Sequence, residues 1–135
     1  MIVGITFGAF DLLHPGHLYS LYEAKTKCDE LIVGLHTDPS VERISKNKPV
    51  QTTYERYLQL ASCKYVNCIL PYDTEQDICN ILHTFADINK YFLGEEYKDK
   101  EYTGKQICID KGIEVIFLPR KHSFSSTELR NRLNV

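Results

Sequence analysis

Apolar residues along the chain alternate between short continuous runs and longer stretches with helical spacing. The short runs predict five strands, at 2–7, 30–36, 66–70, 91–93 and 114–118. Apolar positions that recur every three or four residues predict helices at 16–27, 53–63, 75–85, 103–111 and 126–133. The run over 30–36 is almost entirely apolar, which is typical of a parallel strand that helices cover on both faces.

Five strand–helix units in succession predict an α/β fold, with a doubly wound five-stranded parallel sheet and helices on both faces. Ligands bind such sheets outside the carboxyl ends of the strands. The chain has 135 residues, enough for one core and too few for two, so we expect a single domain over 1–135.

Composition narrows the class of protein. The chain is 43% hydrophobic and 25% charged, which is typical of a soluble globular domain. No apolar run approaches the roughly 20 residues that span a bilayer, and the first residues lack a basic leader, so we expect a cytoplasmic protein without membrane insertion. A net charge of −2 argues against general nucleic-acid binding. The five cysteines form no Cys-x-x-Cys pair, so we expect reduced thiols and no zinc site.

The segment His14-Pro15-Gly16-His17 follows the first predicted strand and opens the first predicted helix. The start of a helix presents unpaired backbone N–H groups, which favour an anion. His14 and His17 are three positions apart and lie on the same side of a helical turn, so both can face one ligand. Imidazole donors aimed at phosphate oxygens suit a reaction that hands negative charge between phosphates. Two surface histidines are the alternative.

Small and acidic residues beside this motif each have two interpretations. Gly8 and Gly16 would let the backbone approach a phosphate closely, although Gly16 could instead serve helix–sheet packing. Asp11 could orient a histidine or cap the turn that follows.

The irregular stretch over 37–52 is long enough to be a functional loop. Its charged residues include Asp38, Arg43, Lys46 and Lys48. A lysine here could close over a triphosphate and offset its charge, with Lys46 the first candidate, whereas a solvated charge run is the alternative. Arg56, on the next predicted helix, is either an exposed helix charge or a substrate contact.

Polar residues also follow the last two strands. Tyr97 and the preceding glutamates could line a ribose or base pocket or form a polar turn. Arg120 follows the fifth strand, and three hydroxyl residues open the last helix: Ser125, Ser126 and Thr127. Hydroxyls, unpaired N–H groups and the helix dipole favour the same anion, while an ordinary N-cap needs only one hydroxyl. If one ligand binds both groups, Arg120 and the hydroxyl residues must lie close in space to the histidine motif, which is at the other end of the chain.

These residues support a family resemblance. The opening Thr-Phe-Gly-Ala-Phe-Asp-Leu-Leu-His-Pro-Gly-His resembles that of the small cytidylyltransferases, especially the glycerol-3-phosphate cytidylyltransferases, in the HxGH nucleotidyltransferase superfamily. Arg120 with Ser125-Ser126-Thr127 is similar to the closing motif of that family. Tyr54-Glu55-Arg56 and the segment that ends at Tyr97 are also similar.

The resemblance implies a Rossmann-like fold and transfer of a nucleotidyl group from a nucleoside triphosphate to a phosphorylated acceptor, with release of pyrophosphate. It also implies a homodimer and Mg²⁺ carried by the triphosphate, with no separate protein metal site. The expected catalytic residues are His14, His17, Lys46 and Arg120. The expected nucleotide contacts are Gly8, Ala9, Phe10, Asp11, Gly16, Arg120, Ser125, Ser126 and Thr127. The expected substrate contacts are Asp38, Arg56 and Tyr97.

The expected reaction joins CMP from CTP to a small phosphorylated alcohol or sugar. One departure from the family is Ala9, which stands where a threonine hydroxyl usually reaches the nucleotide and so removes one hydrogen bond. Two alternatives stay open: the same chemistry with ATP, and a nucleotide-binding sensor that has no turnover.

Overall fold

The computed structural model describes residues 1–120 and 124–134. Within them, the strands are β1 Val3–Gly8, β2 Glu30–His36, β3 Cys68–Tyr72, β4 Ile88–Gly94 and β5 Glu114–Leu118. The helices are α1 Pro15–Lys25, α2 Thr53–Ala61, α3 Glu75–Thr84, α4 Lys105–Lys111 and α5 Ser126–Leu133, and a 3₁₀ turn at Glu95–Tyr97 follows β4.

The strands form one parallel sheet in the order β3-β2-β1-β4-β5. The chain moves outward from β1 through β2 to β3 and then returns to place β4 on the other side of β1. The connections therefore reverse direction between β1 and β4, and such a reversal opens a crevice at the carboxyl ends of the strands. The predicted Rossmann-like, doubly wound α/β fold is confirmed.

Two apolar clusters cover the two faces of the sheet. Leu21 and Ala24 of α1 and Leu60 of α2 pack with strand residues on one face. Ile78 and Leu82 of α3 pack with Cys108 of α4 and other strand residues on the opposite face. Continuous apolar strands are explained by this arrangement, because alternate side chains of one strand enter different clusters.

The predicted fourth strand, 91–93, is shorter than β4, because polar residues interrupt the apolar pattern of β4. The strand begins at Ile88, ahead of the predicted start at 91. The side chain of Asn89 accepts a hydrogen bond from the backbone N–H of Val3 (2.8 Å), and Lys90 Nζ donates to the Lys27 carbonyl (2.8 Å). Both polar side chains thus serve neighbouring backbone groups while their own backbone remains in the sheet.

The prediction of β3 is displaced by two residues for a similar reason. Asn67 pairs with Leu31 partly through its side chain, since the Leu31 N–H donates to Asn67 Oδ1 (2.9 Å). The strand therefore starts at Cys68 and continues through Pro71 to Tyr72. A proline fits there because β3 lies at the edge of the sheet.

Two further features concern the cysteines and the lengths of the helices. All five cysteines carry free thiols. Across residues 1–120 and 124–134, no helix has both the length and the apolar character needed to cross a membrane.

Candidate active site

A cleft of about 960 Å³ opens over the carboxyl ends of the strands. All five strands contribute to its wall, together with the start of α1 and the segment before α5. The predicted site residues that line it are Gly8, Ala9, Phe10, His14, Gly16, His17, Lys46, Tyr97, Arg120 and Ser125. Four other predicted residues lie outside the lining: Asp11, Asp38, Arg56 and Thr127.

The side chains of His14 and His17 cap the first turn of α1. His14 Nδ1 accepts a hydrogen bond from the Gly16 N–H (3.0 Å), and His17 Nδ1 accepts one from the His14 N–H (3.3 Å). A backbone N–H can only donate, so each neutral ring carries its proton on Nε2. The two rings stack with centroids 4.0 Å apart. The pair can therefore present two Nε2–H donors side by side.

Burial lowers the pKa of His17 from an ordinary value of 6.5 to about 4. The neighbouring His14 lowers this pKa further, and the Asp11 carboxylate raises it by a smaller amount. His17 is therefore neutral at physiological pH and acts as a hydrogen-bond donor without charge. Positive charge in the cleft comes from other lining residues, of which Lys46 and Arg120 are two.

The predicted phosphate-binding residues beside α5 lie against those at the start of α1. Ser125 Oγ accepts a hydrogen bond from the Glu128 N–H (3.0 Å) and caps α5. Arg120 Nη2 donates to the Phe124 carbonyl (3.0 Å), and a Cβ on Gly16 would lie 3.0 Å from the same carbonyl oxygen. The start of α1 thus touches the segment before α5. Gly16 is required by this close approach and by the adjacent His14 ring.

The three hydroxyl residues of the last helix do not share one position. Ser125 lines the cleft and also serves as the N-cap, the alternative that the sequence left open. Thr127 is exposed and does not line the cleft, so the prediction of a phosphate contact there is not supported. The side chain of Ser126 lies outside the described part of the chain, and its role stays a prediction.

The loop between β1 and α1 has left-handed backbone at two residues that are not glycine, Phe10 (φ 50°) and Leu12 (φ 51°). Each such residue costs about 1 kcal/mol or more. Asp11 offsets this cost, because its carboxylate accepts the N–H groups of Val50 (2.8 Å) and Gln51 (2.9 Å). The Leu12 N–H in turn donates to Gln51 Oε1 (2.8 Å). Asp11 therefore ties two loops together and lies outside the cleft lining, and its contact with the nucleotide stays a prediction.

Arg56 is buried, with 1% of its surface exposed, which contradicts its interpretation as an exposed helix charge. Its five N–H donors all bind protein oxygens: the carbonyls of Ala9, His36, Thr37 and Gln51 and the hydroxyl of Thr53. No donor remains for a substrate. The expected substrate contact is replaced by a positioning role, since Arg56 joins the ends of β1 and β2 to the start of α2.

The loop after β2 places its predicted residues differently. Asp38 turns onto its own loop and accepts hydrogen bonds from the hydroxyl and the N–H of Ser40, which hold its pKa below the ordinary value. Asp38 therefore caps its own loop and lies outside the cleft lining, and its contact with a substrate stays a prediction. Lys46 lines the cleft, as does Tyr97 on the 3₁₀ turn.

The sequence predictions missed an aromatic cluster on the wall of the cleft. Phe7 makes edge-to-face contacts with Tyr72 and Tyr91, each at 5.5 Å between centroids. The His36 ring stacks on Tyr72 at 4.5 Å, and Tyr102 lies 6.1 Å from Tyr91. We call these five residues the aromatic side of the cleft. The histidine side consists of His14, His17, Arg120 and Ser125.

The hydroxyls of the aromatic side are kept neutral. Burial raises the pKa of both Tyr72 and Tyr91 well above the ordinary value, so neither ionises under physiological conditions. The Tyr91 hydroxyl donates to the Thr103 carbonyl (3.2 Å). A Cβ on Gly34 would collide with the Phe7 ring, so this glycine leaves room for the ring beside β2. The aromatic side is consequently a shaped apolar surface with few charges of its own.

The usual metal ligands in proteins are His, Cys, Asp and Glu side chains. Among residues 1–120 and 124–134, no group of three or more His, Cys, Asp or Glu residues could hold a metal ion.

A doubly wound sheet with two helix N-termini at one cleft, one of them bearing paired imidazoles, is suited to binding a phosphate-bearing nucleotide. The family described as cytidylyltransferase-like matches residues 5–132, nearly the whole chain. The chain belongs to this family.

Curated relatives and solved structures are also similar to the chain. The bifunctional protein HldE of a Caulobacter species is 38% identical over 133 residues, covering 98% of this chain and 27% of that protein. The chain therefore spans about a quarter of the length of the curated relatives it matches. The lipopolysaccharide core biosynthesis protein of Thermoplasma volcanium superposes with a TM-score of 0.69 at 24% identity, covering 92% of this chain and 99% of that chain. Thermotoga maritima TmcAL bound with alpha-thio ATP gives a TM-score of 0.66 at 13% identity, covering 99% of this chain and 50% of that chain. The two structural similarities concern the fold.

Proposed function

We propose that the protein transfers CMP from CTP to the phosphate group of a small phosphorylated alcohol or sugar. The observation that carries the proposal is the meeting of the two helix starts at one cleft, with His14 and His17 on α1 and Arg120 and Ser125 beside α5. Two helix N-termini and a guanidinium favour a ligand with several negative charges.

In the proposed reaction, an oxygen of the acceptor phosphate attacks the α-phosphorus of the triphosphate. The bond from that phosphorus to the bridging oxygen of the β-phosphate breaks, and pyrophosphate leaves. The Nε2–H groups of His14 and His17 donate to the α-phosphate oxygens as charge shifts in the transition state. Lys46 and Arg120 offset the charge of the β- and γ-phosphates, together with the start of α5. No protein nucleophile is required, because the acceptor supplies it.

The remaining lining residues fit the rest of the nucleotide. Gly8, Ala9 and Phe10 would border the nucleoside, and their backbone is held in place by Arg56 and Asp11. Mg²⁺ bound to the triphosphate would lower the charge that the attacking oxygen meets. CTP, Mg²⁺ and the homodimer stay predictions from the family resemblance.

Pyrophosphate release tests the proposal. The protein is incubated with Mg²⁺ and one of CTP, ATP, GTP or UTP, in combination with a panel of phosphorylated alcohols and sugars. Release that requires both CTP and an acceptor supports the proposal. Release with ATP alone among the nucleotides would replace CTP by ATP and leave the chemistry unchanged.

A nucleotide-binding sensor gives a different result in the same experiment. Such a protein would bind a nucleotide in a thermal-shift titration and release no pyrophosphate with any acceptor. Release by the His17→Ala variant at the rate of the unchanged protein would contradict the role given to the paired imidazoles.

A further inference from the structure

An ion pair lines the cleft close to its aromatic side. Arg43, in the loop after β2, lies 2.6 Å from Glu75, the first residue of α3, measured from Nη2 to Oε1. Both residues line the cleft. The charges of this pair also act on the buried Tyr72 hydroxyl, with opposite signs, which places the pair near that ring. Neither residue has a part in the reaction as described so far.

The loop is held to α3 by a second contact. Glu42 Oε1 accepts a hydrogen bond from the backbone N–H of Glu75 (2.8 Å). The Lys46 N–H donates to the Arg43 carbonyl (2.9 Å), so Lys46 and Arg43 belong to one turn. Residues 41–48 are otherwise exposed. The turn that carries both cations is therefore positioned by the start of α3.

Positive charge is scarce on this side of the cleft. Among the described lining residues, the lysines and arginines are Arg43, Lys46 and Arg120, and Arg120 lies on the histidine side. Glu75, Glu96 and Glu101 add negative charge to the lining. Lys46 is assigned to the triphosphate, so among the described lining residues Arg43 is the cation left for a second phosphorylated ligand that enters beside the aromatic residues.

We infer that Arg43 binds the phosphate of the acceptor, and that Glu75 holds Arg43 beside the cleft until this phosphate displaces it. The inference rests on the proposed function, because it assigns a residue to the second substrate. The side chains of Arg43 and Glu75 are 45% and 28% exposed, and an ion pair with this exposure contributes little to stability. A phosphate monoester carries more negative charge than the Glu75 carboxylate and offers the guanidinium two parallel hydrogen bonds. Exchange of partners is therefore favourable.

A further carboxylate near the start of α3, that of Asp77, does not compete with the acceptor for Arg43. Asp77 Oδ2 accepts the N–H groups of Asp73 and Thr74, each at 3.0 Å, and completes the capping of α3. Asp77 also lies outside the cleft lining. Glu75 is thus the carboxylate of this helix start that competes with the acceptor for Arg43.

Substitution of Arg43 and substitution of Glu75 should change the affinity for phosphate in opposite directions. The first probe is inorganic phosphate, titrated by NMR at neutral pH with the histidine side saturated by CTP or by whichever nucleotide binds. Arg43→Gln should weaken phosphate binding at least about fivefold, because a charged hydrogen bond is lost. Glu75→Gln should tighten it about twofold or more, because the competing carboxylate is removed while Arg43 remains. A purely structural ion pair would give the same sign in both variants.

A matched control comes from the exposed pair of Arg132 with Glu128, which lies outside the cleft. Arg132→Gln removes the same charge and should leave phosphate binding unchanged. Loss of binding in both Arg43→Gln and Glu75→Gln, or no change in either, would overturn the inference.

Turnover separates this inference from the proposed function. With an acceptor that releases pyrophosphate, Arg43→Gln should raise the acceptor KM at least about fivefold and leave the KM for the nucleotide within about twofold. If no acceptor supports turnover, the proposed function fails while the phosphate titration still decides the role of Arg43. A rise in the nucleotide KM alone would assign Arg43 to the triphosphate and overturn the inference.

Discussion

The histidine side and the aromatic side of the cleft are built in different ways. On the histidine side, polar groups belong to short contiguous segments, and local capping holds them: His14 and His17 cap α1, and Ser125 caps α5. On the aromatic side, Phe7, Tyr72 and Tyr91 come from three separate strands and are fixed by packing. The first arrangement suits a constant group such as a phosphate chain. The second presents a shaped apolar surface whose residues could be exchanged without disturbing the capped helix starts.

Arg56 connects the two sides and should show the largest effect on stability. Its guanidinium binds the Ala9 carbonyl beside the histidine loop and the His36 and Thr37 carbonyls at the end of β2. Arg56→Met leaves these buried carbonyls without donors, so we expect the free energy of unfolding to fall by about 3 kcal/mol or more. Urea denaturation measures this change.

Two further variants serve as controls for Arg56→Met. Arg56→Lys keeps the charge but offers three donors in place of five, so its loss of stability should be intermediate. Arg132→Met, at an exposed position on α5, should change the free energy of unfolding by less than about 0.5 kcal/mol. A loss below about 1 kcal/mol in Arg56→Met would show that the two sides are held independently.

His17→Ala removes a donor from the histidine side only. We expect turnover to fall at least about a hundredfold, because a donor aimed at the reacting phosphate is lost. Stability should fall by only about 1 kcal/mol, since the missing interaction is one hydrogen bond from the His14 N–H. Pyrophosphate release and thermal unfolding measure the two effects. His83→Ala, on the exposed surface of α3 outside the cleft, should leave turnover unchanged.

The low pKa of His17 predicts a dependence of stability on pH. In the unfolded chain this imidazole takes up a proton near pH 6.5, whereas in the folded protein it stays neutral down to about pH 4. The unfolded chain therefore binds more protons between these values, and the free energy of unfolding falls as the pH falls through this window. Allowing for the partial exposure of the ring, we expect a contribution of about 2 kcal/mol.

The His17→Gln variant isolates this contribution. Carboxylates that titrate in the same range are common to both proteins and cancel in the difference. The gap in stability between the unchanged protein and His17→Gln should therefore shrink, or reverse sign, between pH 7 and pH 4. A constant gap would show that His17 titrates normally in the folded protein.

The difference between the two sides also explains what the sequence could predict. The histidine motif and the start of α5 were found because their chemistry depends on neighbouring residues and on helix termini, which local patterns mark. Tyr72 and Tyr91 resemble ordinary core positions in their strands, and only the sheet order brings them together. The expectation of an exposed Arg56 is wrong for the opposite reason. A charged residue on a helix predicts exposure, and the carbonyls that satisfy it lie at the ends of two distant strands.

The smallest expected effect compares one cap from each side. Ser125 caps α5 beside the histidine side, and Thr74 caps α3 next to Glu75. Replacing either residue by alanine should lower the free energy of unfolding by about 1 kcal/mol, since each removes one N-cap hydrogen bond. Only Ser125→Ala should also weaken nucleotide binding, by about threefold, because its hydroxyl lies in the cleft lining and that of Thr74 does not. Titration of the nucleotide at equal folded fraction measures the difference. Equal affinities in the two variants would mean that Ser125 caps α5 and makes no contact with the nucleotide.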